Sequence, residues 1–191
     1  MARMPAAERR QQLLDVAILV FSDVGYHGAS MNDIALAAGI TKPVIYQHFD
    51  SKLDLYLQLL EDIATNLSDT IGRAVSDAER GRGQFEAGLL AYFKFVEEHR
   101  SEFRVLFGSR AQATGEFGSA LRTAERSITT SVAELVEVSD SNPRTQRTAT
   151  AIVSMAEGTC RHWLAHELDI SVEELASELA DLLWNGMKPT S

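Results

Sequence analysis

Apolar residues recur at three- and four-residue spacing along most of the chain, and alternating runs of β-branched residues are nearly absent. That period is typical of α-helices that pack on a core, and not of strands. We therefore predict an all-α fold of about nine helices. The first helix should end at Gly25, because glycine adopts the left-handed conformation that closes a helix without steric cost. The predicted helical ranges are 6–24, 31–38, 42–49, 52–79, 84–99, 102–111, 116–138, 143–167 and 171–185.

Helix starts are marked by capping residues. Ser30, Ser51 and Ser171 each precede an acidic residue by three positions. In that pattern the hydroxyl caps a backbone N–H and the carboxylate lies near the positive end of the helix dipole. Asn142 precedes Pro143, and proline at a first helical position loses no hydrogen bond. These four positions set the predicted starts.

Two of the predicted helices follow a helix-turn-helix plan. The ranges 31–38 and 42–49 are short and are separated by Gly39-Ile40-Thr41, and a short turn that contains glycine is typical of this motif. Ile45 and Phe49 lie four residues apart, so both should face the core. The opposite face of the second helix is then directed outward.

That outward face carries groups suited to a DNA major groove. Val44 can contact a thymine methyl group, Gln47 can pair with adenine, and Pro43 lies beside them. Donors of the kind that contact phosphates surround this face: Thr41, Lys42, Tyr46, His48 and Lys52. Together with Ser30 these residues are the predicted DNA-binding set. On spacing alone, an ordinary three-helix unit remains an equal alternative.

Charge is distributed unevenly along the chain. The 191 residues have a formal net charge of −9, but residues 1–52 carry five Lys/Arg and five Asp/Glu and are neutral. The acidic remainder would repel a polyanion, whereas the neutral N-terminal part can approach one. Arg3, Arg9 and Arg10 form a basic arm at its beginning.

Composition excludes several classes of protein. With 45% apolar and 24% charged residues, the chain is an ordinary globular sequence and not a disordered or collagen-like one. Its single cysteine, Cys160, cannot form an internal disulfide. No apolar run approaches the length of a membrane span, and no secretory signal is recognisable. We therefore expect a cytoplasmic location and no membrane partner.

The N-terminal residues resemble a known family. The resemblance rests on three motifs: Leu14-x-x-Ala17-x-x-x-Phe21-x-x-x-Gly25-Tyr26, Ser30-Met31-x-x-Ile34-Ala35-x-x-Ala38-Gly39-Ile40, and Lys42-Pro43-Val44-Ile45-Tyr46-Gln47-His48-Phe49-x-Ser51-Lys52-x-x-Leu55. With these motifs, about residues 8–60 are similar to the N-terminal domain of the TetR family of transcriptional repressors, although Pro43 stands where many members have glycine.

The resemblance implies a homodimeric repressor that is released from a palindromic operator in double-stranded DNA by a small apolar or amphipathic effector. Residues 1–52 would be the helix-turn-helix domain, and residues 53–191 a helical domain for effector binding and dimerisation. Tyr46, His48 and Lys52 would contact phosphates, and residues early in the second short helix would meet bases. We expect no cofactor.

The resemblance also implies a ligand pocket and a dimer interface in the acidic part of the chain. For any single aromatic residue there, packing in the core is the more common role. The predicted pocket residues are Tyr92, Phe93, Phe103, Phe107, Arg110, Phe117 and Trp163. The last two helices have wide apolar faces that can cover two neighbours each. The predicted interface residues are Ile152, Ala156, Thr159, Trp163, Leu175, Leu179 and Leu182.

Two other classes of protein have some support in the sequence, a metal protein or enzyme and a helical adaptor. His162 and His166 lie four residues apart and could share a metal ion, but Cys160 lies about 200° around the helix from His162 and cannot join them. No catalytic constellation or phosphate-binding loop is recognisable, so we predict neither an enzyme nor a metal site. A dimeric helical adaptor controlled by a protein partner is the alternative to DNA binding.

Overall fold

The computed structural model of the protein describes residues 5–108, 114–135 and 143–186. Within these ranges the fold is all α-helical, as predicted, and no strand occurs. The helices are α1 Ala6–Gly28, α2 Met31–Ala37, α3 Lys42–Ile45, α4 Lys52–Asp77, α5 Arg82–Glu98, α6 Arg100–Phe107, α7 Gly115–Leu135, α8 Pro143–His166 and α9 Val172–Gly186.

The predicted serine caps are present. The Oγ atoms of Ser30, Ser51 and Ser171 each accept a hydrogen bond from the backbone N–H three residues later, at N···O distances of 3.2, 3.0 and 3.2 Å. Each bond satisfies a donor that has no partner within its own helix. The starts of α2, α4 and α9 are therefore fixed locally by sequence. The predicted cap Asn142 lies outside the described residues.

Helix α1 is broken at Gly25 but does not end there. Gly25 has φ 72° and ψ 171°, which is a conformation that L side chains rarely adopt. One further turn follows and is closed by the hydrogen bond from Ala29 N to Gly25 O, at 3.1 Å. The prediction that the first helix ends at Gly25 was wrong for this reason, and the extra turn fixes the position of Tyr26.

Compact unit one groups the residues up to Ile63 with Arg100–Ala124. It contains α1–α3, α6, the start of α4 and the start of α7. Tyr56 Oη donates a hydrogen bond to Val105 O at 2.7 Å, and so ties α4 to α6 within the unit. The fully buried side chains at its core include Leu13, Leu14, Ile34, Ile45, Phe49 and Leu55.

Compact unit two groups Ala64–His99 with the residues from Glu125 onward. Helices α5 and α9 pack along each other in it. Exposed ion pairs join their surfaces, Arg82 Nη2 to Asp181 Oδ1 at 2.9 Å and Lys94 Nζ to Glu173 Oε1 at 3.0 Å. Such exposed pairs stabilise little, so burial supplies most of the packing energy. The buried residues of α9 are Val172, Leu175, Ala176, Leu179, Ala180 and Leu183.

Candidate nucleic-acid interface and ligand cavity

Helices α2 and α3 are joined by a tight turn. Gly39 has φ 68°, and an added Cβ would meet no atom within 4 Å. Glycine is therefore required by backbone conformation and not by space. The turn is closed by hydrogen bonds from Gly39 N to Leu36 O, 3.0 Å, and from Ile40 N to Ala35 O, 2.9 Å. The angle between the two helices follows from this local geometry.

Helix α3 is shorter than the predicted range 42–49. It ends at Ile45, and the chain continues in a tight turn in which Gln47 N donates to Val44 O at 3.1 Å and His48 N to Ile45 O at 3.0 Å. These bonds span three residues instead of four, which winds the backbone more tightly. The residues after Tyr46 are therefore wound more tightly than in an ideal α-helix, although the four-residue bond from Phe49 N to Ile45 O, at 3.1 Å, keeps Ile45 and Phe49 in their predicted relation.

The two faces of this segment separate as predicted. Ile45 and Phe49 are buried, at 0% and 1% exposure. Val44 and His48 are half-buried, whereas the other predicted DNA-binding residues on the segment are exposed: Thr41, Lys42, Pro43, Tyr46 and Gln47. An apolar group, an amide and several donors thus share one accessible surface.

Two cations lie against aromatic rings near this surface. Lys42 Nζ lies 5.9 Å from the centroid of the Tyr46 ring, and Arg10 Cζ lies 5.1 Å from the centroid of Phe49. A cation over a ring face is attracted by the ring quadrupole. Ser30, at the start of α2, is exposed and bonds to the Asp33 carboxylate through its Oγ at 2.6 Å. The donors around the face are therefore partly ordered before any ligand binds.

Lys52 has partners that the sequence did not predict. Its Nζ donates to the carbonyl oxygens of Tyr26, at 2.7 Å, and Ala29, at 2.9 Å, and lies 4.3 Å from the centroid of the Tyr26 ring. Partial burial lowers the pKa of the Lys52 ammonium. Two of its three N–H donors hold the last turn of α1, which leaves one donor for a phosphate.

Phe117 is part of an aromatic cluster in unit one. Its ring stacks on Tyr26, with centroids 4.4 Å apart and planes 12° apart, and lies 5.2 Å from Tyr56 and 5.3 Å from His27. Phe117 is 4% exposed. It was predicted to line a pocket in the C-terminal part of the chain, but the structure places it against α1 and α4.

A cavity of about 300 Å³ lies within unit two. Its lining is mostly apolar, and its polar groups include Arg80, between α4 and α5, and Gln84, in the first turn of α5. Gln84 is oriented by its own bonds, since its Oε1 accepts from Gly81 N at 3.3 Å and its Nε2 donates to Val75 O at 3.4 Å. The apolar lining residues are Ile71, Val75, Phe85, Leu89, Tyr92, Ile128, Val132, Ile152, Val153, Ala156 and Trp184.

Tyr92 is the one predicted pocket residue, among those described, that lines this cavity. Phe93 and Trp163 are buried in unit two but are not in its lining, and Phe103 and Phe107 belong to unit one. Arg110 lies outside the described residues. Periodicity identified the apolar face of α5, but it could not show which buried residues border an empty volume.

Cys160 is fully buried on α8, and burial raises the pKa of its thiol, while the nearby Tyr92 hydroxyl opposes part of that rise. It therefore stays a neutral thiol. His162 and His166 lie on the exposed side of α8 with ring centroids 4.3 Å apart. Within the described ranges no group of three possible metal ligands comes together.

The predicted dimer residues lie largely within the protomer's own core. Five of them are buried in the single chain: Ile152, Ala156, Trp163, Leu175 and Leu179. Thr159 is half-buried and Leu182 is 61% exposed. The apolar face of α9 is wide because most of it packs on α5. Helices α8 and α9 also border an open groove, which is lined by Arg147, Thr148, Ala151, Ile152, Met155, Leu182, Leu183 and Gly186.

The capped α2, the glycine turn and the accessible face of α3 define a helix-turn-helix protein. Residues 13–59 match the family model described as bacterial regulatory proteins, tetR family, and residues 82–186 match the tetracyclin repressor-like C-terminal domain. The chain therefore belongs to the TetR family of DNA-binding transcriptional regulators, which are not enzymes. No helix within the described ranges combines the length and apolar character of a membrane span.

Similar proteins cover nearly the whole chain. The transcriptional activator FasR of Mycolicibacterium smegmatis is 32% identical over 97% of this chain and 85% of its own length. The crystal structure of a TetR-like regulator from Rhodococcus sp. RHA1 is 30% identical, with a TM-score of 0.79, and covers 97% of this chain and 98% of that one. The regulator FadR from Bacillus subtilis, solved in complex with stearoyl-CoA, is 16% identical, with a TM-score of 0.80 and coverage of 93% and 99%.

Proposed function

We propose that the chain is a homodimeric repressor that binds a palindromic operator and is released by a small effector. The observation that carries the proposal is the accessible face of α3 on a TetR-family scaffold, in the same chain as a mostly apolar cavity. A two-fold dimer presents two such faces to two half-sites about one DNA turn apart. Sequence-specific binding and ligand response follow from separate units of one chain.

DNA contacts are assigned by side-chain chemistry. Val44 and Gln47, with Pro43 beside them, read base edges in the major groove. Phosphates are contacted by the surrounding donors, which position the protein without reading sequence: Ser30, Thr41, Lys42, Tyr46, His48 and Lys52. Two N–H groups of Lys52 bond to the carbonyl oxygens of Tyr26 and Ala29, and the third donates to a phosphate. Lys52 therefore both holds α1 and contacts DNA.

The cavity is the effector site in this proposal. At about 300 Å³ it lies at the lower end of the volumes of ligand pockets. Its apolar lining suits an apolar or amphipathic molecule, and Arg80 and Gln84 offer polar contacts at one part of it. The complex of B. subtilis FadR with stearoyl-CoA supports an acyl chain as the type of ligand. A cavity of this size holds part of such a chain or a shorter one.

Helix α4 couples the effector to the DNA-binding residues. It begins at Lys52 in unit one and continues into unit two, where Ile71 and Val75 line the cavity. An effector shifts the equilibrium between the DNA-binding state and the released state only by the difference in its affinity for the two states. A displaced α4 changes the position of α1 through the bonds of Lys52, and so changes the spacing of the two α3 segments.

Activation is a second candidate, favoured by the name of the M. smegmatis relative, which is a transcriptional activator. The same DNA-binding face serves both functions, because a bound dimer blocks or recruits polymerase according to where the operator lies. Fusion of the operator to a reporter gene in cells with and without the chain separates the two. Repression predicts higher expression when the chain is absent, and activation predicts lower expression.

The experiment that tests the proposal is selection of bound sequences from a random duplex library by the purified chain, followed by stoichiometry on the enriched site. We expect an enriched palindrome that binds an even number of chains. Enrichment of an asymmetric site by a single chain would contradict the dimer. Absence of any enrichment would contradict operator recognition and favour the adaptor.

A further inference from the structure

The effector cavity and the groove between α8 and α9 share a wall. Ile152 lines both of them. Leu183 lines the groove, and the next residue, Trp184, lines the cavity. Only one layer of side chains therefore separates a molecule in the cavity from anything that covers the groove.

The position of Trp184 is set from the cavity side. Its ring centroid lies 5.7 Å from that of Phe85, and a Cβ added at Gly81 would lie 3.3 Å from Trp184 Cη2. Arg82 Nη2, at the start of α5, pairs with Asp181 Oδ1 at 2.9 Å. The last turn of α9 therefore rests on the residues that line the cavity.

A second copy of the chain fits the groove by self-complementarity. Leu182 is 61% exposed, and it lies at a recess that Ala151 and Met155 also line. One face thus carries an apolar projection beside an apolar recess. A two-fold axis brings the projection of each copy to the recess of the other, as an isologous interface requires.

We propose that filling the cavity strengthens the dimer through Ile152 and Trp184. In the empty cavity these two side chains can move inward, because each borders the void and lacks contacts over that part of its surface. A molecule in the cavity holds them against the groove and preserves the surface that the partner covers. Since linkage is reciprocal, dimerisation strengthens ligand binding at the two cavities of the dimer, taken together, by the same factor. The inference rests on the dimer and the effector site of the proposed function.

The test uses the full chain and 8-anilinonaphthalene-1-sulfonate as the probe, because it combines apolar rings with an anionic group. Sedimentation equilibrium gives the dimer dissociation constant with and without saturating probe. We expect the constant to fall at least about fivefold with probe, the lower end of ordinary coupling between sites. A probe bound in the groove would compete with the partner and raise the constant, which would overturn the inference.

Two variants extend the test, and the first of them needs no probe. Val132→Phe, on α7, fills the cavity from a wall that is not part of the groove, so it should strengthen the dimer without probe. Leu182→Lys should give a monomer whose probe affinity does not depend on protein concentration. A Val132→Phe dimer of unchanged strength overturns the linkage, whereas a wild-type chain that is monomeric at all concentrations overturns the proposed dimer.

Discussion

Lys52 Nζ lies 2.7 Å from the carbonyl oxygen of Tyr26 and 4.3 Å from the centroid of the same residue's ring. The first residue of α4 thus holds the residue that follows the break in α1. The carbonyls at the end of a helix lack partners within the helix, and an ammonium group near a helix C-terminus is also favoured by the helix dipole. The start of α4 is thereby fixed to the helix-turn-helix scaffold.

Replacement of Lys52 by methionine removes the ammonium group and keeps an unbranched apolar stem. We expect Lys52→Met to lower the free energy of unfolding by about 1–2 kcal/mol, because two charge-assisted bonds are lost. Urea denaturation followed by circular dichroism measures it. Lys42→Met, at an exposed position, is the control and should change stability by less than about 0.5 kcal/mol. Equal losses in the two variants would show that the carbonyl bonds do not stabilise α1.

Salt dependence tests whether Lys42 and Lys52 both contact phosphates. Each phosphate contact contributes about −0.9 to the slope of log K against log salt concentration. We expect Lys42→Gln and Lys52→Gln each to make this slope less negative by about one, on operator and unrelated duplex alike. Titration by fluorescence anisotropy at several salt concentrations gives the slopes. An unchanged slope for Lys52→Gln would restrict Lys52 to its role in holding α1.

Gln47 and Tyr46 should differ in what they recognise. Gln47→Ala should relax preference at one base pair of each half-site, at a cost of about 1–3 kcal/mol on the preferred base. Tyr46→Phe removes only a hydroxyl and should weaken binding to all sequences by the same factor. Binding to a set of operators with single base-pair changes measures both. A uniform loss for Gln47→Ala would contradict its assignment as a base reader.

The stack of Phe117 on Tyr26 should contribute to the stability of unit one. Phe117→Leu keeps an apolar side chain but loses the aromatic pair, which is worth about 1 kcal/mol beyond buried area. We expect a loss of that size in the free energy of unfolding. Thermal and urea denaturation provide the measurement. An unchanged free energy of unfolding in the Phe117→Leu variant would show that Phe117 contributes only through its buried apolar area and not through the aromatic stack.

The fluorescence of Trp184, which lines the cavity, should report ligand binding there. The chain has two tryptophans, and Trp163 is buried outside the cavity lining. In a Trp163→Phe variant, the remaining indole should change its fluorescence when an amphipathic ligand binds. The Trp184→Phe variant is the matched control, in which the signal of Trp163 should not respond. A response confined to Trp163 would place the ligand elsewhere.

The features predicted correctly from sequence are local ones. A serine followed by an acidic residue three positions later specifies a helix start, because cap and N–H belong to one turn of chain. The four-residue spacing of Ile45 and Phe49 specified the buried face of the segment 42–49 in the same way. Gly25 marked a real break in α1, although the turn beyond it depended on a hydrogen bond that no pattern indicates.

The features that were missed depend on contacts between distant parts of the chain. Phe117 reaches Tyr26 across 91 positions of sequence, and no periodicity within α7 distinguishes that contact from a pocket wall. Leu175 and Leu179 lie on an apolar face that suits a partner subunit or a neighbouring helix equally, and α9 packs on α5. Lys52 was assigned from its charge, whereas the acceptors that hold it are backbone carbonyls, which every residue has.

The central claim is that the chain reads DNA sequence as a two-fold dimer. Anisotropy titration of the selected palindrome against a scrambled duplex of equal length, at physiological salt, tests it most directly. We predict that the palindrome binds at least about a thousandfold more tightly, and that half-site centres lie about 10–10.5 base pairs apart or at a multiple of that spacing. Equal affinity for the two duplexes would contradict the account.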